Sequence, residues 1–135
     1  MGSNRPPFAI EFYESPDGDK PVLRWITEEL TVARRRTLGY ALWRVLQHMG
    51  ASVCGTEFGR QLGGGLFEFR FRAVPSGESA RVPLRVFCHA TAEGVVLLLA
   101  GYDKAADPTP KRQRREIELA RLRLTEFRSR RRRTP

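Results

Sequence analysis

The sequence predicts an α+β fold: a small antiparallel-rich sheet with two N-terminal helices packed on one face and a C-terminal helix, in the order β-α-α-β-β-β-α. Three observations carry this. Leu66 to Arg72 alternates, with Phe67, Phe69 and Phe71 on one side and Glu68, Arg70 and Arg72 on the other, as a half-buried strand does. Apolar residues recur at helical spacing in the N-terminal third and again in the last quarter. A chain of 135 residues, 41% apolar and 29% charged, has material for one modest core.

The elements follow in order. Phe8 to Tyr13 mixes aromatic and branched residues and stops at the turn formers Ser15-Pro16-Asp17-Gly18, which reads as a first strand. Asp19 offers a helix cap, Pro21 suits a first helical turn, and Val22, Ile26 and Leu30 recur at spacing four. Thr31 is positioned to cap a second helix, in which Leu38, Leu42, Val45 and Met49 share a face until Gly50 stops it. The opposite face carries Arg34, Arg35 and Arg44 and reads as solvated.

The glycine-rich stretch Cys54 to Gly65 lacks both the Gly-Lys-Ser/Thr ending of a phosphate loop and a dinucleotide fingerprint, and reads as a tight turn into the Leu66 strand. Val74 to Val82 is a long polar connection. Leu84 to His89 points Leu84, Val86 and Cys88 one way and Arg85, Phe87 and His89 the other. Val95 to Tyr102 is apolar on both faces, as a central strand is. After the loop Asp103 to Pro110, Ile117, Ala120, Leu124 and Phe127 mark a final helix. Residues 1–128 are expected to form the domain, and 129–135 a disordered basic tail.

Charge narrows the partners. The net charge is +9, and residues 111 to 135 hold 11 basic side chains against 3 acidic ones. Such an excess favours phosphate backbones or an acidic protein, although like-charge runs are also often merely solvated. The longest apolar run, Val95 to Ala100, is too short to cross a bilayer, and Met1 to Pro7 is a short polar arm, so no membrane association and a cytoplasmic location are expected. Cys54 and Cys88 are too few for a disulfide framework or a zinc site and are expected to be reduced core residues.

If Phe67, Phe69, Phe71, Leu84, Val86 and Cys88 face the helices, then Glu68, Arg70, Arg72, Arg85, Phe87 and His89 gather on an open sheet face, with Tyr102 and Lys104 at the end of the central strand. Cations there would clamp a phosphodiester, an aromatic would stack a splayed base, and His89 or Lys104 would move protons. The alternative is an ordinary polar face with Arg70 paired to a glutamate and His89 structural.

The runs Gly65-Leu66-Phe67-Glu68-Phe69-Arg70, Leu84-Arg85-Val86-Phe87 and Val96-Leu97-Leu98-Leu99-Ala100-Gly101-Tyr102-Asp103-Lys104, followed by Thr109-Pro110 and Ile117 to Ala120, resemble the HigB-type, phage-derived branch of the RelE toxin superfamily. The resemblance covers roughly residues 10 to 127. It implies the toxin of a type II toxin–antitoxin pair, an endoribonuclease that cuts messenger RNA at the ribosome by attack of the ribose 2′-hydroxyl on the adjacent phosphate, with no metal and no cofactor. By that resemblance Arg70, Arg85 and Lys104 are catalytic candidates, with His89 added on strand parity alone. Arg72, Phe87, Tyr102 and Arg112 are the RNA-binding candidates. The implied partners are messenger RNA, the ribosome and a cognate antitoxin, often a helix-turn-helix protein. Many relatives carry two adjacent lysines where this chain has Lys104-Ala105. The alternative function is a RelE-fold module that binds RNA or protein through its basic tail without cleaving.

Overall fold

The computed structural model describes residues 6–133, excepting the side chain of Arg133. A short strand β1 (Ala9–Phe12) leads into α1 (Pro21–Arg24), which continues as a π-helical turn over Trp25–Glu29. Helix α2 (Val32–Ala41) runs on through a second π-helical stretch, Leu42–Leu46, into the single turn α3 (Gln47–Met49). A 3-10 helix (Gly50–Gly55) then reaches β2 (Gly59–Gly63), β3 (Leu66–Ala73), β4 (Val82–Ala90) and β5 (Val95–Asp103), and the long helix α4 (Pro110–Arg133) closes the chain. The five strands lie in the order β1-β5-β4-β3-β2, antiparallel except where β1 runs parallel to β5. No helix among the described residues is long and apolar enough to cross a membrane.

Local chemistry accounts for most boundaries. The Thr31 hydroxyl accepts from the Arg34 amide at 3.1 Å and starts α2 as expected. Asp19 does not cap α1, where Lys20 occupies the cap with no side-chain bond; instead the Asp19 carboxylate lies 3.1 Å from Arg24. Gly50 ends the second helix at a φ of +53°, where a Cβ would also press on the Phe8 ring 2.7 Å away. Thr109 caps α4 by accepting from the Arg112 amide at 3.2 Å, and Pro110 occupies the first helical position.

Two expectations are corrected. Within the stretch read as a tight turn, Gly59–Gly63 forms an extra edge strand paired with β3; its glycines and short polar run hide the apolar alternation by which a strand is read. Residues 129–133, expected to be disordered, extend α4, because Arg130 bonds Glu126 and the Glu14 carbonyl, and Arg131 bonds Glu93. Residues 134–135 lie outside the described residues, as do residues 1–5 of the expected N-terminal arm.

The sheet is covered on both faces. On one, Phe67, Phe69, Leu84, Val86 and Cys88 pack against Val22, Trp25, Ile26, Leu38 and Leu46 of the N-terminal helices, as the alternation predicts. The other face was expected to be open, yet α4 lies over it: Leu66, Phe87, Leu97, Leu99 and Tyr102 bury against Ala120 and Leu124. Each fully buried aliphatic or Phe side chain in these layers contributes about 1.5–3 kcal/mol. Cys88 is fully buried and Cys54 partly so; both are free thiols, with burial pushing each thiol above its ordinary value.

A β-bulge decides what this second face contains. Phe87 pairs with Ala100 but the next residue, Cys88, pairs with Leu98, so Leu99 and Ala100 together oppose one step of β4. Leu97 and Leu99 face α4, and after the bulge Ala100 and Tyr102 do so too, while Gly101 and Asp103 turn to the N-terminal helices. The Leu99 carbonyl displaced by the bulge accepts from Arg123 at 2.7 Å. Gly101 lies under Trp25, and an added Cβ would stand 2.6 Å from the indole and 3.2 Å from the Arg85 carbonyl.

Two consequences are measurable. Gly101→Ala is expected to cost about 1–3 kcal/mol, the usual range for overpacking, read as a lowered urea midpoint in tryptophan fluorescence. Tyr13 donates to Glu126 of α4 at 2.6 Å, and burial, with help from that carboxylate, pushes its phenol up from 10.0 to about 12. The unfolded phenol ionises first, so the stability Tyr13 contributes is full below pH 10 and is lost as pH rises toward 12. The fall in urea midpoint across that window should be shallower in Tyr13→Phe than in the wild-type chain.

Candidate functional site

Three strands contribute one row of side chains on the α4 face: Arg70 of β3 pairs with Arg85 of β4, and Arg85 with Tyr102 of β5. Like charges directly opposite each other on a sheet repel, and burial makes matters worse, because Arg85 is only 2% exposed. The neighbouring row supplies the remedy. Glu68, 1% exposed, sets its carboxylate 3.5 Å from Arg70 Nε and 3.6 Å from Arg85 Nε. Its second oxygen lies 3.6 Å from Arg60 of β2 and accepts from Gln113 Nε2 of α4 at 3.0 Å.

The compensation is incomplete in hydrogen bonds. Arg70 Nε, Arg85 Nε and the Tyr102 hydroxyl are all buried without a hydrogen-bond partner. The two guanidinium contacts to Glu68 are therefore charge attractions rather than hydrogen bonds, since good ones fall nearer 2.7–3.2 Å. Burial lowers the pKa of Arg85 from its ordinary value against the opposing pull of Glu68, and burial raises that of Tyr102. Arginine stays protonated under any ordinary condition. The site thus holds a fixed buried positive charge beside unpaired N–H and O–H groups, an arrangement suited to an anion that brings its own acceptor oxygens.

Arg70 is the member that reaches out. Its side chain is 33% exposed, its Nη2 donates to the Gly59 carbonyl at 3.2 Å, and it lines a cleft of about 780 Å³ with Phe58, Phe71, Arg72 and Arg81. Lys104 follows the end of β5 in a turn, and its amide donates to the carbonyl of Pro83, the register partner of Arg72. The Lys104 ammonium has no ion-pair partner among the described residues. Arg112, at the start of α4, sits 5.3 Å over the Tyr102 ring and bonds Glu116 at 2.9 Å. Among the described residues, no group of three or more His, Cys, Asp or Glu side chains converges as a metal site would.

Of the expected site residues, Arg70, Arg72, Arg85, Tyr102, Lys104 and Arg112 therefore come to one end of the sheet. Three expectations change. Phe87 is buried under α4 and stacks on Tyr102 at 6.3 Å, so neither ring presents a free face to a base. Arg85 is held inside with Glu68 instead of reaching solvent. His89 lies four residues along β4 from Arg85, about 13 Å at the rise of a strand, and its Nδ1 is 2.8 Å from the Gly65 carbonyl. It stands beside the β2–β3 turn, away from the cationic row.

Other contributors escaped the sequence reading. Gln113 lies four residues before Ile117, on the same stripe as Ala120 and Leu124, and that spacing was the available sign that a polar residue would be carried inward. Arg34, read as solvated, ties α2 to Asp103 at the end of β5 and to Glu78 of the β3–β4 connection at 2.7 Å. These pairs raise the pKa of Arg34 and lower that of Glu78, in each case chiefly through their mutual hydrogen bonds. No periodicity signals such a strap, because it joins three segments distant in sequence.

A five-stranded, mostly antiparallel sheet between helices makes this an α+β protein whose architecture is consistent with a RelE-like fold. The family described as Phage derived protein Gp49-like (DUF891) matches residues 27–125, and the chain belongs to it. This is a RelE/toxin-like family whose members are commonly the toxin of a toxin–antitoxin pair. Among curated proteins no match was found.

Glu68 is the partner whose loss should be felt most. Removing one partner of a buried ion pair costs about 3–5 kcal/mol, so Glu68→Ala is expected to lower stability by that order in urea unfolding. Arg60→Ala, which removes only the half-exposed partner, should cost under about 1 kcal/mol.

Proposed function

We propose that this chain is a HigB-type toxin of a type II toxin–antitoxin pair, acting in the cytoplasm as a messenger RNA endoribonuclease at the ribosome. One observation carries the reading: the Arg70–Arg85–Tyr102 row, with its unpartnered buried donors, beside a cleft lined by Arg70, Arg72 and Arg81. RNA is a polyanion whose phosphate oxygens can accept from guanidinium groups lining that cleft.

In the reaction, the ribose 2′-hydroxyl loses its proton and its oxygen attacks the adjacent phosphorus. The bond to the 5′-oxygen breaks and that oxygen takes up a proton, leaving a 2′,3′-cyclic phosphate and a 5′-hydroxyl. Arg70 and Arg72 hold the phosphate oxygens from the cleft. Arg85 acts from behind as a buried charge that favours the extra negative charge building on phosphorus, with Glu68 holding both arginines in place. Lys104, half-buried and without an ion-pair partner among the described residues, is the group available for proton transfer. Arg112, lying over the Tyr102 ring at the start of α4, is a further cation for the RNA backbone, and the cognate antitoxin, a helix-turn-helix protein, restrains the activity.

A second reading is a non-cleaving RelE-fold module that binds RNA or protein through basic α4. The burial of Arg85 against Glu68 favours it, as does the single lysine of Lys104-Ala105.

Controlled expression with mapping of RNA ends separates the two. The toxin reading expects arrested growth and new ends bearing cyclic phosphate and 5′-hydroxyl groups. Arg70→Ala should slow cleavage about 10²–10³-fold, the usual effect of removing one oxyanion-stabilising donor, and Lys104→Ala should also slow it. Intact RNA and normal growth at full expression overturn that reading. RNA binding without cut products, weakening with salt at a log–log slope of about −0.7 per phosphate contacted, is the signature of the second.

A further inference from the structure

The helical segment beginning at Val32 turns one face away from the sheet, and that face is aromatic and cationic. Val32, Arg36, Tyr40 and Trp43 follow one another at helical spacing and share a stripe. Tyr40 is 58% and Trp43 51% exposed, unusual for side chains of this size. The Arg44 guanidinium lies over both rings, 5.9 Å from that of Tyr40 and 5.5 Å from that of Trp43. His48 meets the indole edge-on at 6.3 Å, its Nδ1 3.0 Å from the Trp43 carbonyl, so the indole is held in place before anything binds.

Nothing inside the protein accounts for this face. Arg36 and Arg44 have no ion-pair partner among the described residues, and the segment from Val32 to Met49 contains no Asp or Glu. Gly39 sits beside Tyr40 in mid-helix, where glycine costs stability relative to alanine. No atom lies within 4 Å of the position a Cβ would take there, so no neighbour demands a glycine. It leaves a flat spot next to two large rings.

We propose that this face docks an acidic, amphipathic segment of a protein partner, seating an apolar side chain against Tyr40 and Trp43 above Gly39 while flanking carboxylates pair with Arg36 and Arg44. Trp, Tyr and Arg are the residues that most often dominate the energetics of protein interfaces. An arginine held over aromatic rings keeps N–H groups with which it can grip a carboxylate by two bonds. Two other occupants fit less well. A second copy of this chain would bring Arg36 and Arg44 against their own like charges, and an RNA base could stack only on the ring faces that Arg44 leaves free.

The proposal rests on the toxin reading for the identity of its partner, the protein encoded beside this chain. Its test uses the full chain and that neighbouring gene product, purified, in a calorimetric binding measurement. Trp43→Ala and Arg44→Glu should each weaken binding on the order of tenfold or more, with unfolding midpoint and RNA cleavage as in the wild-type chain. Unchanged affinity in both variants, or no binding by the wild-type chain, overturns it. Loss of RNA binding with partner binding intact assigns the face to nucleic acid, and a wild-type dimer that Trp43→Ala dissociates assigns it to a second copy; either result overturns it. If the wild-type chain neither arrests growth nor cuts RNA, the toxin reading fails while the binding result still decides the docking face.

Discussion

A single buried carboxylate makes the rest of this arrangement possible. Without Glu68, Arg70 and Arg85 would face each other across adjacent strands in a region from which water is largely excluded, and the desolvation of Arg85 alone would cost several kcal/mol. Glu68 sits one row away, within 3.6 Å of both, and it also reaches Arg60 on β2 and Gln113 on α4. One side chain therefore links β2, β3, β4 and α4. Its two oxygens do not satisfy every donor around them: Arg70 Nε, Arg85 Nε and the Tyr102 hydroxyl stay without a hydrogen-bond partner in the interior.

The second determinant is the bulge in β5. A strand alternates strictly, so a chain that sends Leu97 and Leu99 toward α4 would ordinarily send Tyr102 the other way. The extra residue at Leu99–Ala100 reverses the parity and brings Tyr102 level with Arg85 on the α4 face. It also turns Gly101 and Asp103 toward the N-terminal helices, where Gly101 admits the Trp25 ring and Asp103 meets Arg34. Both faces of the sheet thus depend on one irregularity, and Arg123 of α4 uses the carbonyl that it frees.

Helix α4 combines two roles that the charge distribution suggested were separate. Its apolar stripe closes the core, while its arginines bond backbone carbonyls at the β2–β3 turn and at the end of β1. Much of the positive charge at the C-terminus is therefore engaged in holding the helix to the sheet. The exposed aromatic face of α2 belongs to the opposite layer, so the cationic cleft and the proposed docking face are presented by different parts of the molecule.

The family resemblance put forward Arg70, Arg85 and Lys104; apart from the glycine-rich β2 and the last turn of α4, the sequence by itself determined the element types and the faces of β3 and β4. These are consequences of local periodicity, which solvent imposes residue by residue along the chain: Phe67 and Phe69 alternate because one side of their strand must be dry. Tertiary structure alone decided that α4 would cover the face carrying the arginines, that Phe87 would be buried beneath it, and that His89 would stand apart. Those outcomes depend on how distant segments meet, and the energy of docking the Ala120–Leu124 stripe on Leu99 and Tyr102 outweighs the cost of enclosing Arg85 because Glu68 is there to oppose its charge. Alternation shows which residues share a side; only packing decides which of them still meet water.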